Sequence, residues 1–190
     1  MLTHENDKTV MCPIVGDGMV GKTQICKTFA GSQTPDDYTA TVSDLYTVPT
    51  YMMGSDYIIK IVDSSISLHD YKEVRTKSYK EANVFILCYS VSDRESFENV
   101  KSFWIPEIRH LCKKTPVVLV ATYKDTRDEH NNVSKQEGLD IMESHKFDAY
   151  IECRSDNKEE VDELFEDILL SVIKSKRRRR SSLLHTLMGK

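Results

Sequence analysis

GDGMVGKT, Gly16 to Thr23, is the stretch whose reading decides the fold. It fits G-x-x-x-x-G-K-[ST] and stands between an apolar run, MCPIV at 11–15, and a segment of helical character, GKTQICKTFA at 21–30. Strand, glycine-rich loop and helix in that order make the pattern specific for a polyphosphate. The glycines let successive backbone N–H groups curl round a phosphate, and the helix N-terminus adds positive potential. The candidate phosphate-binding residues are Gly16, Asp17, Gly18, Val20, Gly21, Lys22, Thr23 and Gln24. Lys22 is placed to bridge two phosphates, and Thr23 to offer its hydroxyl to Mg²⁺. The alternative, a glycine-rich turn that binds nothing, fits this context poorly.

Outward from the loop, further continuous apolar runs occur at 57–63 (YIIKIVD), 83–90 (NVFILCYS), 116–123 (PVVLVATY) and 149–153 (AYIEC). Continuous runs suit strands covered on both faces, hence a mostly parallel sheet. Segments 93–112, 134–147 and 158–180 read as helices, the last placing Val161, Leu164, Phe165, Ile168, Leu169 and Ile173 on one face. LYTVPTYM and YIIKIVD flank MGSD, which has the composition of a hairpin turn, so one edge strand is antiparallel. Pro13, inside a central strand, predicts a bulge. The expected fold is a doubly wound α/β sheet of six strands whose ligand crevice lies at the strands' carboxyl ends.

The chain has 190 residues, enough for one sizeable core, and its 39% hydrophobic and 29% charged content is that of a soluble domain. Seven of the 26 basic residues lie beyond Ile173, where no acid occurs, so residues 1–173 carry 19 basic against 30 acidic residues. An acidic body argues against nucleic acid bound across the domain. Five scattered cysteines and the lack of an apolar leader or span point to a cytoplasmic protein with reduced core thiols.

One acid and one threonine complete the candidate site. Asp63 ends a buried strand and needs a partner that Mg²⁺ would supply, or else it caps the next segment. Thr41, in DDYTATVSD, is a second candidate Mg²⁺ ligand, although a loop threonine is more often a turn residue.

Together these residues resemble a small GTPase of the Ras superfamily, specifically its Rho/Rac branch. GDGMVGKT differs from the Rac-type GDGAVGKT only at Met19. The stretch from Ser78 to Glu129 resembles the corresponding Rho stretch, including FENVKSFWIPEIRH and TPVVLV, and YIECRS with VDELFEDIL resembles the family's YLECSAL and final helix. The resemblance implies a P-loop NTPase G domain over residues 10–174, between a polar arm (1–9) and a polybasic tail (175–190). It implies GTP/GDP and Mg²⁺ as ligands. Asp125 takes the place of the guanine-reading aspartate, with Thr122 and Tyr123 before it, and Arg154 and Ser155 stand at the opposite edge of the base. Thr23, Thr41 and Asp63 are the implied metal ligands, and Thr41, Asp44 and Tyr46 the effector-facing residues.

The departures bear on mechanism. DTAGQE has become DSSISL, so Ile66 replaces the glycine that meets the γ-phosphate and Ser67 the glutamine that orients the attacking water. Losing one preorganised transition-state contact typically costs about a hundredfold or more, so slow or absent hydrolysis is expected. Tyr123 replaces the lysine whose stem covers the guanine, Lys124 comes one place too late, and Thr34 stands where an aromatic is common. Ser43 and Val62 replace aromatic residues of the effector and exchange-factor surfaces, which implies atypical exchange factors or GTPase-activating proteins. Gly18 leaves room for an arginine supplied by such a partner.

The tail, KSKRRRRSSLLHTLMGK, carries six basic residues between Lys174 and Arg180, then Leu183, Leu184, Leu187 and Met188 at helical spacing. It suits reversible recruitment to the anionic inner leaflet of the plasma membrane; a solvated helix end or an import-like signal is the alternative. No cysteine follows Cys153, so the prenylation box of the family is missing. Three functions stay open: a slow GTP/GDP switch of cytoskeletal or polarity type, a nucleotide-locked or empty signalling scaffold, and, disfavoured by Asp125, a P-loop kinase or ATPase.

Overall fold

The structure, a computed structural model, describes residues 8–31, 44–63, 78–127 and 132–188. Six strands form one sheet: β1 (Thr9–Val15), β2 (Asp44–Met52), β3 (Ser55–Asp63), β4 (Phe85–Ser90), β5 (Val117–Thr122) and β6 (Ala149–Cys153). Their spatial order is β2-β3-β1-β4-β5-β6, with every pair parallel except β2 against β3. The expected doubly wound sheet with one antiparallel edge strand is therefore the fold. The hairpin is tighter than MGSD suggested: β2 and β3 pair through Met52 and Ser55, and the turn is Met53-Gly54, both at positive φ, as a type I′ turn requires.

Helices cover both faces. On one side lie α1 (Lys22–Ala30) and α4 (Lys158–Met188). On the other lie α2, built of Arg94–Asn99, a π-helical stretch Val100–Trp104 and Ile105–Leu111, and α3 (Lys135–His145). Period-two alternation sorts each inner strand between them, Ile86 and Cys88 toward α1 and α4, Phe85, Leu87 and Tyr89 toward α2. Along α4, Val161, Leu164, Phe165, Ile168, Leu169 and Val172 recur at i, i+3, i+4 spacing and are buried. Val172, not Ile173, completes that face, because Ile173 is only partly buried. Phe165 stacks on Phe29 at 3.7 Å between centroids, and removing such a buried ring costs about 3–5 kcal/mol.

Pro13 makes no bulge. The β1–β3 register runs unbroken from Thr9↔Ile58 to Ile14↔Asp63. Met11 sends its N–H to Asn83 Oδ1 (2.8 Å) and accepts from Asn83 N (2.9 Å), both on the β4 side. Alternation puts the Pro13 nitrogen on that same side, ahead of the first β1–β4 pair, Ile14↔Ile86, where no ladder bond is lost.

Helix α4 also differs from expectation. The helix read over 158–180 and the short helical stretch around Leu183–Met188 are one unbroken helix, so position 174/175 falls inside it. Among the described residues no helix is long and apolar enough to cross a membrane.

Candidate functional site

The loop from Gly16 to Gly21 joins the carboxyl end of β1 to α1. Gly16 adopts φ 139°, and a Cβ there would lie 2.2 Å from the Cys88 carbonyl oxygen of β4. No side chain fits that contact. Gly21, at φ 85°, precedes α1 and lies against Ser155, whose Oγ would be 3.0 Å from an added Cβ. Gly18 has nothing within 4 Å of such a position. Val20 is buried, and Met19, at φ 61°, is 95% exposed at the rim.

Lys22 is only 5% exposed, and its ammonium donates to the Asp17 carbonyl at 2.5 Å, arching over the loop. Burial lowers its pKa, opposed by the negative field of Asp63 and Asp17 among other groups, so an anion arriving at this ammonium stabilises it. The Asp17 carboxylate, placed in the site by sequence, faces elsewhere: Oδ1 accepts from Trp104 Nε1 (2.7 Å) and Oδ2 from Asn99 Nδ2 (2.6 Å). Asp17 thus contributes backbone to the cradle. Gln24 is exposed and donates to Thr28 Oγ1 (3.1 Å).

Asp63 and Thr23 meet at the end of β3. The Thr23 hydroxyl donates to Asp63 Oδ2 at 2.5 Å. Asp63 is fully buried, and its Oδ1 has no hydrogen-bond partner among the described residues. An ionised carboxylate oxygen left unmatched in the interior is costly. A hard cation with oxygen ligands answers it, so the pair fits Mg²⁺. Thr41, Ser67, Ile66, Ser43 and Thr34 lie outside the described residues, so their expected roles are not addressed by the geometry. Tyr46 is corrected: its side chain is 4% exposed within the core and is not presented to a partner, whereas the neighbouring Leu45 is 52% exposed.

The side where the resemblance places the base-reading residues is held by contacts that the sequence does not reveal. Thr122 Oγ1 donates to the Val20 carbonyl (2.8 Å), tying β5 to the phosphate loop. Tyr123 adopts φ 56°; its ring approaches Gly21 and its hydroxyl donates to the Met19 carbonyl at 3.4 Å. Gly18, Met19, Gly21, Lys22, Lys27 and Tyr123 line a cavity of about 310 Å³. Asp125 is exposed on the following turn, and its carboxylate takes no hydrogen bond among the described residues. Arg127 forms a two-pronged pair with Glu152, at 2.6 and 3.1 Å, and donates to the Val133 carbonyl.

Across from it, Glu160 accepts from the Arg154 N–H (2.8 Å) and Arg154 Nε (3.2 Å) and pairs with Lys124 Nζ at 2.9 Å. Burial raises the Glu160 pKa, but the Arg154 N–H and Lys124 outweigh it and hold the carboxyl below its ordinary value. Lys124, one place late for a lysine that covers a base, is thus a strut between the loops after β5 and β6. The Arg154 side chain belongs to that strut. Ser155 is buried, its carbonyl accepting from Thr28 Oγ1 at 2.8 Å.

A glycine cradle around a buried lysine, a threonine–aspartate pair with one carboxylate oxygen unmatched among the described residues, and an exposed acid on the loop after β5 define a G domain. The Ras family model matches residues 11–174. The chain is also 41% identical over 162 residues to the Ras-like GTP-binding protein RhoL of Drosophila melanogaster, an alignment covering 84% of each protein. The chain belongs to the Ras family: it is a Rho-like small GTP-binding protein.

Proposed function

We propose that this protein binds GTP and GDP with Mg²⁺ as a signalling switch and hydrolyses GTP slowly or not at all. The observation that carries the binding half is half-buried Thr23 donating to fully buried Asp63, whose Oδ1 is unmatched among the described residues, set beside the buried Lys22 ammonium. When bound there, Mg²⁺ would neutralise phosphate charge and polarise the terminal phosphoryl group. Asp63 and Thr23 hold that position from the protein side. Lys22 exchanges its Asp17 carbonyl partner for phosphate oxygens, and backbone N–H groups from Gly18 to Thr23 surround the polyphosphate. Asp125, with an uncommitted carboxylate, accepts from guanine N1 and N2 and so rejects adenine.

Slow turnover rests on the sequence DSSIS, which offers Ser67 where a water-positioning glutamine is needed. Gly18 leaves the space through which a partner can supply a cation. Effectors would meet the segment around Thr41 and Asp44, with Leu45 as its exposed apolar residue. Cytoskeletal or polarity signalling and a cytoplasmic, peripheral membrane location are part of this reading. The test is to release the bound ligand with acid from gently purified protein, identify it, and follow single-turnover GTP cleavage. GTP or a GTP/GDP mixture with slow cleavage is expected; bound ATP overturns the guanine reading. A second reading, a nucleotide-locked or nucleotide-free scaffold, is favoured by DSSIS and by Tyr123, and retained GTP with no cleavage selects it.

A further inference from the structure

Tyr89 is fully buried near the carboxyl end of β4, and its hydroxyl lies 3.1 Å from that of Tyr150 on β6. Tyr150 in turn donates to Glu152 Oε1 at 2.6 Å, the same oxygen that Arg127 Nη2 reaches at 2.6 Å. A hydroxyl carries one proton, and an ionised carboxylate carries none. The Tyr150 proton is committed to Glu152, so Tyr89 is the donor in the bond between the two phenols. The chain therefore has one direction, Tyr89 to Tyr150 to Glu152, and the two-pronged pair of Arg127 with Glu152 closes it.

Both rings are seated by contacts that do not need their hydroxyls. Tyr150 lies across α3 at Gly138, where a Cβ would stand 2.6 Å from its hydroxyl oxygen and closer still to the ring, so no side chain fits beneath it. Tyr89 leans on Phe97, with ring centroids 4.9 Å apart. Phenylalanine would fill both places without bringing a polar group that has to be satisfied inside the protein. Packing alone leaves the two hydroxyls unexplained.

Their role follows from where the chain of bonds ends. The Tyr89 carbonyl accepts from Thr122 Oγ1 at 3.0 Å, at the last residue of β5. The Tyr89 hydroxyl, through Tyr150 and Glu152, holds Arg127. One residue of β4 thereby grips both ends of the loop that carries Asp125. We infer that Tyr89 and Tyr150 are positioning residues for guanine reading: acting through Glu152 and Arg127, they hold the Asp125 carboxylate where it meets the base. The inference rests on the preceding reading of Asp125 and adds the groups that set its precision. Arg and Glu side chains have much rotamer freedom to lose, so their fork alone ties the loop loosely to the sheet. A phenol locked by packing and bonded to Glu152 Oε1 fixes the fork to the core.

The experiment compares dissociation constants for GDP and for inosine diphosphate, which lacks the 2-amino group, in the unaltered chain, Tyr89→Phe, Tyr150→Phe and the double variant, with melting curves alongside. Preference for GDP is expected to fall about fivefold or more in Tyr150→Phe, which loses a hydrogen bond to a charged acceptor. It falls less in Tyr89→Phe, and the double variant matches Tyr150→Phe, because Tyr89 acts through Tyr150. An unchanged preference in Tyr150→Phe, whether or not both nucleotides weaken alike as a packing role would cause, overturns the inference and leaves the reading of Asp125 standing. Losses that add in the double variant do the same. An unaltered chain that binds GDP no more tightly than inosine diphosphate overturns the reading of Asp125, and this inference with it.

Discussion

The indole N–H of Trp104 donates to Asp17 Oδ1 at 2.7 Å, and Asn99 Nδ2 donates to the other oxygen of the same carboxylate at 2.6 Å. In a regular α-helix residues five apart point about 140° away from each other, whereas i→i+5 winding brings them to one side. The π-helical stretch Val100–Trp104, in which Ile105 N–H donates to the Val100 carbonyl, therefore lets both reach the phosphate loop. Pro106, which follows Ile105, has no N–H to complete the regular ladder.

Trp104 is the chain's single tryptophan and is 1% exposed. Its emission is accordingly expected to report the phosphate loop: chelating Mg²⁺ to release nucleotide shifts the emission, and adding GDP reverses it. Trp104→Phe removes the signal and one hydrogen bond to a charged acceptor, worth about 1.5–3 kcal/mol. Intrinsic fluorescence during nucleotide release checks the first part, and chemical denaturation the second.

Gly16→Ala and Gly18→Ala are expected to part company. At Gly16 the methyl meets the Cys88 carbonyl at 2.2 Å at a φ that L-residues avoid, so the variant loses nucleotide and melts earlier. At Gly18 the methyl meets nothing within 4 Å, so folding and nucleotide content persist. Thermal melts with nucleotide analysis compare them.

Glu160→Gln breaks the ionic strut between Lys124 and Arg154 while keeping an acceptor for the Arg154 N–H. GDP release is expected to accelerate about tenfold or more, the equivalent of one charged hydrogen bond lost at a positioned loop. Stopped-flow release of a fluorescent GDP analogue measures it, and a rate equal to wild type would reduce Glu160 to a surface charge.

Glu137 completes a capping box with Ser134 at the start of α3 and pairs with Arg94, which holds its pKa at about 2. A carboxyl whose folded pKa is depressed contributes stability above its unfolded pKa, and this is lost as pH falls toward the folded value. Between about pH 5 and pH 2 the native chain therefore loses stability that Glu137→Gln never had. Because the pair is half exposed, the difference is small, and denaturant midpoints of the two proteins converge at the acid end.

Much of this is legible in the amino-acid sequence. Continuous apolar runs gave the strands because β1, β4 and β5 are covered on both faces, and the glycine spacing of the phosphate loop reflects one hard contact with Cys88. Other features were not legible, for physical reasons. The side on which Pro13 turns its nitrogen depends on sheet order. The resemblance places Tyr46 on the effector-facing segment, yet alternation along β2 turns its side chain inward. Glu160 sits three residues after Asn157, which caps its N–H at 3.0 Å, so the local pattern suggests a capping box. Its carboxylate instead reaches Arg154 and Lys124, a choice that only the tertiary arrangement makes. The segments 32–43 and 64–77, with Thr41 and Ser67, lie outside the described residues.

The central claim is that the buried Lys22 ammonium and the surrounding loop amides enclose a guanine nucleotide's polyphosphate. Lys22→Ala, purified beside the unaltered chain, tests it most directly by chromatography of acid-released nucleotide. The account predicts that stoichiometric guanine nucleotide in the unaltered chain falls to a small residue in the variant while the fold persists. Equal occupancy in both would contradict it.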